Sequence, residues 1–226
     1  MNENLATSAG MDPLLLITVI IMVGVLPFVA LTVTSFTKIV IVLGLVRQAL
    51  GVQQIPPNMV LNGIALILSA FIMAPIAGTA YDALTPSFGA SKDFGRSFAD
   101  MPVITKAVAD PLRTFLTRHS DRKYRLFFVN ATAQLWPEVQ ARRAAESDFL
   151  VLIPSFTLTE LTEAFQIGFL LYLAFVAVDL VIGTVLMALG MQMVSPNIVS
   201  IPFKLLLFVA VDGWTHLIQG LVLTYR

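Results

Sequence analysis

The stretch Ala188-Leu-Gly-Met-Gln-Met-Val-Ser-Pro-Asn-Ile-Val199 interrupts what would otherwise be one long apolar run. It reads as a helix, a stop, a short methionine loop and a new helix. Gly190 suits the left-handed residue that ends a helix, and Pro196 is tolerated in the first turn of the next helix but not in its interior. The loop is therefore a hairpin tip. Ala49-Leu-Gly-Val-Gln-Gln-Ile-Pro-Pro-Asn-Met-Val60 aligns with it without a gap, and Ala, Leu, Gly, Gln, Pro, Asn and Val agree at equivalent positions. The breaks fall at Gly51, Pro56 and Pro57 in the first copy and at Gly190 and Pro196 in the second. Flanking agreements, Val42 with Val181, Gly44 with Gly183 and Leu66 with Leu205, extend the match along both legs. Apolar composition inflates such matches, so chance likeness is the alternative; the Ala-Leu-Gly and Pro-Asn agreements favour two copies of one broken-helix hairpin. Internal repeats built on discontinuous helices are a membrane-protein signature, and they mark the breaks as the functional places.

Composition agrees. Hydrophobic residues make up 57% of the 226, charged residues 12%, and mean hydropathy is +0.85, against roughly one-quarter charged residues in a soluble domain. The formal net charge is zero, which leaves no electrostatic case for a nucleic-acid partner. Absence of cysteine removes disulfides, thiol nucleophiles and Cys-ligated metals together.

In chain order, residues 1–13 form a polar tail with Glu3 and Asp12 but no basic residue, so the n-region of a signal peptide is missing. Residues 14–81 form the first apolar hairpin: Leu14 to Thr37 is uncharged for long enough to cross a core that needs about 20 helical residues, Lys38 interrupts, and Pro75 is expected to kink or end the second leg. Residues 82–148 hold 18 of the 28 charged residues and form an extramembrane helical subdomain. There Val103, Ile104, Ala107, Val108, Pro111, Leu112, Phe115 and Leu116 repeat at helical spacing, with Asp110 expected to cap a new start at Pro111. Its basic group, Arg118, Arg122, Lys123 and Arg125, reads as a solvated face, with contact to lipid headgroups or a partner as the alternative. Residues 149–226 form the second apolar hairpin with the methionine loop. The fold class is all-α: two related membrane-associated broken-helix hairpins with a small helical subdomain between them. Hydropathy alone gives about four crossings.

Lys38, Glu160, Glu163, Asp179, Lys204 and Asp212 place charge inside apolar runs. Each costs on the order of 3 kcal/mol at mid-bilayer, so each must face protein or water. Pairing at helix or subunit contacts is the plainer reading, since Lys38 and Lys204 stand against several carboxylates; a proton relay in a secondary transporter using Asp179, Lys38 and Asp212 is the alternative. His216, one turn after Asp212, is placed to be its partner. No phosphate cradle, Ser/His/Asp set or metal-spaced cluster is legible, so neither catalysis nor a cofactor is expected.

Two readings fit Met191, Gln192 and Met193 at the tip. Methionine is unbranched, flexible and apolar, so a ring of such side chains from several subunits would seal a pore yet deform around a passing chain. The other reading is that they fill a gap in helix packing.

The sequence resembles the FliP/SctR family of type III secretion export-gate proteins, from Pro27 onward. The likeness is carried by Ser35-Phe-Thr-Lys-Ile-Val40, Leu45-Val-Arg-Gln-Ala-Leu-Gly51, Gln54-Ile-Pro-Pro-Asn-Met59 and Phe71-Ile-Met-Ala-Pro75. In the second half it is carried by Glu160-Leu161, Ala164-Phe-Gln-Ile-Gly-Phe169, Asp179-Leu180, Ala188-Leu-Gly-Met191, Ser200-Ile-Pro-Phe-Lys-Leu-Leu-Leu-Phe208 and Asp212-Gly-Trp214. Gln134-Leu-Trp-Pro137 looks more like the injectisome branch than the flagellar one. The resemblance implies a homo-oligomer, a ring of five, joined by SctS-like and SctT-like subunits and by SctU-like and SctV-like proteins. It would form the entry pore for unfolded exported proteins at the bacterial inner membrane, in contact with lipid but with much of the assembly on the periplasmic side. It also implies a methionine gasket at Met191 to Met193, here interrupted by Gln192. Glu163 stands where a basic residue is common, and Ala174 where proline is common.

Overall fold

The computed structural model describes residues 13–52, 54–90, 101–141 and 144–226. The polar tail expected at the N-terminus lies, up to residue 12, outside the described residues. Among those described, the chain is all helix and loop: α1 (Pro13–Val33), α2 (Phe36–Ala49), α3 (Asn58–Ala90), α4 (Met101–His119), α5 (Arg122–Leu135), α6 (Glu138–Ala141), α7 (Phe149–Ala188), α8 (Pro196–Ala210) and α9 (Gly213–Leu223). Among the described residues two helices are long and apolar enough to cross a membrane, Asn58–Thr85 of α3 and Phe149–Ala188. Two bent pairs pass the same test if each counts as one span: α1, bent by 47° at Pro27, and α8 with α9, bent by 62°.

The helix ends follow backbone chemistry. α2 stops at Ala49 and α7 at Ala188, the aligned positions of the repeat, and the glycine two residues on is left-handed in both, φ +79° at Gly51 and +74° at Gly190. An L side chain there would crowd its own backbone. Pro196 opens α8, where its missing N–H would have had no helical partner anyway. The Ile55-Pro56 peptide bond is cis.

Three boundaries differ from the sequence reading. α3 runs unbroken through Pro75 and on to Ala90, because a proline in a long helix removes one hydrogen bond without stopping the turns on either side. α4 likewise runs through Pro111, and Asp110 caps nothing. The first apolar run breaks before Lys38, at Thr34 and Ser35, where α2 begins.

The chain forms two compact units, Met1–Thr34 with Met73–Phe156, and Ser35–Ile72 with Thr157–Arg226. In the first, Phe115 and Leu116 are buried, whereas Val103 and Val108 of the same apolar stripe are exposed. The Phe115 ring packs against that of Phe156, tilted by 55° with centroids 5.6 Å apart, and Arg113 lies 4.9 Å over the Phe149 ring. Arg125 turns inward, donating to the Ser120 carbonyl and hydroxyl and the Thr117 carbonyl. Asp121 caps α5 by accepting the Lys123 N–H at 2.9 Å, a bond that holds its carboxyl below the usual carboxylate range.

The second unit holds the larger core: Ile39, Val42, Leu43, Val46 and Ala49 of α2 with Leu61, Ala65, Ala164, Phe175, Phe208 and Leu221. These α2 positions recur at the three- and four-residue spacing of one helical face. α7 approaches α2 so closely at Gly168 that an added Cβ would lie 2.2 Å from the Leu45 Cδ1.

Gly168→Ala therefore overpacks this contact and is expected to destabilise the chain by about 1–3 kcal/mol, while Gly44→Ala, in the interior of α2 with nothing within 4 Å of its Cβ, should raise the thermal midpoint in detergent slightly, because alanine is the better helix former. For Asp121, a depressed carboxyl contributes stability that is present above its unfolded-state pKa and lost as the pH falls through the folded-state value. Asp121→Asn should keep the α5 cap and lose that acid dependence; Asp121→Ala should lose both, read as hydrogen exchange of α5 against pH.

Candidate functional site

A buried ammonium is tolerated only when paired and hydrogen-bonded. The second unit contains two such lysines, and each gathers three segments. Lys38 projects from α2 and is 2% exposed. Its Nζ lies 2.9 Å from Glu160 Oε1 and 2.7 Å from Glu163 Oε2, both on α7. It also sits 4.4 Å over the ring of Tyr225, beyond the end of α9, where the quadrupole of the ring attracts a cation. The Tyr225 hydroxyl donates to Glu160 Oε2, so both oxygens of that buried carboxylate are used. Glu160 and Glu163 share one face of α7 because they are one turn apart; Glu163 remains half exposed.

Lys204 projects from α8 and is buried. Its Nζ donates to Asp179 Oδ2 at 2.6 Å and to the Ala49 carbonyl at 3.1 Å. That carbonyl belongs to the last residue of α2, where helix carbonyls lack partners and the negative end of the helix dipole favours a cation. Ser200, one turn before Lys204, donates to the other oxygen of Asp179 at 2.5 Å. One ammonium thus ties α7 to α8 and both to the first break.

The remaining sequence-selected residues lie elsewhere. Asp212 is exposed and left-handed (φ 54°), between α8 and α9. Its carboxylate accepts from Thr215 at 3.3 Å. His216 does not pair with that carboxylate: its Nδ1 contacts the carbonyls of Val211 and Asp212. Met191, Gln192 and Met193 lie on an exposed tip, with Met193 fully exposed. Proline is absent at Ala174, and α7 runs its full 40 residues without a break.

Three participants stand outside the sequence-selected site residues: Ser200, Tyr225 and Arg47. Arg47 Nη1 bonds the Pro56 carbonyl at 3.2 Å and Asn58 Oδ1 at 2.6 Å across the first break. A lone arginine two residues before a helix end was the available signal; Ser200 was marked only by its one-turn spacing from Lys204, and nothing marked Tyr225.

Comparison with known proteins adds four findings of one kind. The FliP family matches residues 18–221. The chain is 54% identical over 212 residues to "Pathogenicity-related ORF2" of Xanthomonas campestris pv. glycines, covering 94% of this chain and 96% of that protein. It is 53% identical over 211 residues to "Hypersensitivity response secretion protein HrcR" of Ralstonia nicotianae, with coverage of 93% and 96%, and 45% identical over 221 residues to "Yop proteins translocation protein R" of Yersinia pestis, with coverage of 95% and 97%.

The Asp179–Lys204 pair predicts an asymmetric mutant cycle. Asp179→Leu strands a buried ammonium and is expected to cost about 3–5 kcal/mol; Lys204→Met leaves a carboxylate that is one-quarter exposed and should cost less. The double variant should recover most of the loss. Additive unfolding free energies in detergent would contradict this account.

Proposed function

This chain belongs to the FliP/SctR family of type III secretion export-gate proteins, on its injectisome branch, and we propose that it is the core structural and gating subunit of that export apparatus. Several copies, five by resemblance, surround an entry pore through which unfolded proteins leave the cytoplasm. The smaller SctS-like and SctT-like subunits complete the assembly, SctU-like and SctV-like proteins adjoin it, and the chain performs no covalent chemistry.

The observation that carries this reading is the methionine loop. Met191 and Met193 stand exposed on a tip whose two legs are pinned further back by Asp179, Ser200 and Lys204. A flexible apolar side chain fully open to solvent is of little use to an isolated subunit. In a ring, several such side chains meet and exclude water while yielding to a polypeptide. The exposed apolar residues Leu66, Phe71, Leu170, Leu206 and Val209 on α3, α7 and α8 supply surface for neighbouring subunits or lipid, in keeping with a multi-pass inner-membrane protein.

A proton-coupled secondary transporter has less support. Asp179 and Lys38 are each engaged in ion pairs, and Asp212 lies apart on the exposed turn before α9.

Replacing Met191 and Met193 together by Ala should leave the oligomer and its capture of partner subunits intact while raising ion conductance of the assembled complex severalfold. Unchanged conductance in an assembled mutant complex would overturn the gasket.

A further inference from the structure

The two breaks share a sequence pattern but not their fastenings. In the first, Arg47 reaches across the gap to Pro56 and Asn58, so the last turn of α2 is tied to the first residue of α3. The end of α2 is held a second time from α8, by Lys204 on the Ala49 carbonyl and by Ile201, whose Cγ1 would lie 3.1 Å from a Cβ added at Gly51.

The second break keeps the acceptor and lacks the donor. Asn197 aligns with Asn58, but the residue aligned with Arg47 is Leu186. The tie between α7 and α8 lies further back, at Asp179. Among the described residues no side-chain hydrogen bond joins residues 180–188 to 195–199. A Cβ added at Gly190 would meet nothing within 4 Å; exposure does not separate the two breaks, since Met187, Leu189, Met193 and Ile198 are exposed and so are Ile55 and Met59, and the contrast lies in the fastenings.

Local opening is easiest where few packed contacts and no cross-links oppose it. A hydrogen bond from a guanidinium is charge-assisted and planar in its demands, so it fixes both distance and direction. A seal that deforms also needs a seat that does not, and the fastened end of α2 lies against α8, which carries one leg of the methionine tip.

We propose that Arg47 is a positioning residue that makes the first break the stiff jaw of the subunit, and that the leucine at the aligned position leaves the methionine loop as the yielding jaw. The proposal rests on the gate reading for its function, but the contrast in stiffness stands on the two sets of fastenings.

Hydrogen–deuterium exchange of the full chain in its purified complex tests it, comparing peptides spanning residues 47–60 and 186–199. The first should exchange at least about tenfold more slowly, as one charge-assisted hydrogen bond implies. Arg47→Leu gives the first break the residue of the second and should raise its exchange about tenfold while leaving 186–199 unchanged. Asn58→Ala removes the shorter of the two bonds and leaves the one to the Pro56 carbonyl, so it should raise exchange of 47–60 by a smaller, severalfold factor, and it decides the matter if the arginine variant fails to fold. Leu186→Arg should slow the methionine peptide. Equal exchange of the two peptides in the wild type, or unaltered exchange of 47–60 in a folded Asn58→Ala complex, overturns the proposal. Conductance measured in parallel separates the two ideas. A preserved exchange contrast with silent methionine variants removes the gate reading alone, and a lost contrast with leaking methionine variants removes the stiff jaw alone.

Discussion

An ammonium group cannot remain unpaired in an apolar environment, and the second unit is organised around answering that demand twice. Lys38 and Lys204 rise from helices whose other inward side chains are hydrocarbon or small polar groups, and each finds its partners on elements distant in the chain. Removing either charge pair for well-packed hydrocarbon of the same volume would cost little or even stabilise the protein. What the pairs add is selectivity of arrangement. A one-residue slip of α8 along α7 leaves Leu206 and Val209 as apolar as before, but takes Lys204 away from both Asp179 and the Ala49 carbonyl.

The same logic explains how two copies of one motif come to differ. Asp179 and Lys204 align with Val40 and Ala65 in the first copy, so the pair that pins the second set of legs is replaced by apolar side chains in the first. Arg47 aligns with Leu186, so the arginine that bridges the first break has no counterpart in the second. Left-handed glycines at Gly51 and Gly190 keep the backbone turn common to both. The repeat preserves its geometry and exchanges its fastenings, which is how two equivalent tips acquire unequal compliance.

Local chemistry was legible in the sequence and long-range pairing was not. Gly51, Gly190 and Pro196 declare their breaks because φ above zero and a missing N–H are properties of the residue itself. The all-helical class and the apolar lengths of α3 and α7 follow from composition and periodicity. Pro75 and Pro111 misled because a proline inside a helix is weighed against the packing of that helix, which the sequence does not display. The lysine clasps were visible only as charges in need of partners. Lys38 meets Glu160 across 122 positions and Tyr225 across 187, and no local pattern encodes such a meeting. His216 shows the converse error: one-turn spacing placed it beside Asp212, but its ring turned to the Val211 and Asp212 carbonyls in the turn between α8 and α9.

Charge spacing along α7 bears on where this helix can sit. At 1.5 Å per residue its 40 residues extend about 60 Å, twice the roughly 30 Å of a hydrocarbon core. The longest uncharged stretch within it, Ala164 to Val178, has only 15 residues, about 22 Å. Any placement that centres this stretch in a bilayer brings Glu163 or Asp179 inside the hydrocarbon boundary, and both retain solvent exposure within the single chain. α3 faces no such conflict, since Asn58 to Tyr81 is uncharged throughout. An apolar helix whose charges sit too close together for lipid, yet are already ion-paired on one side, is suited to having its other side covered by protein. The hydropathy of α7 therefore fits burial among protein neighbours as well as it fits a membrane crossing.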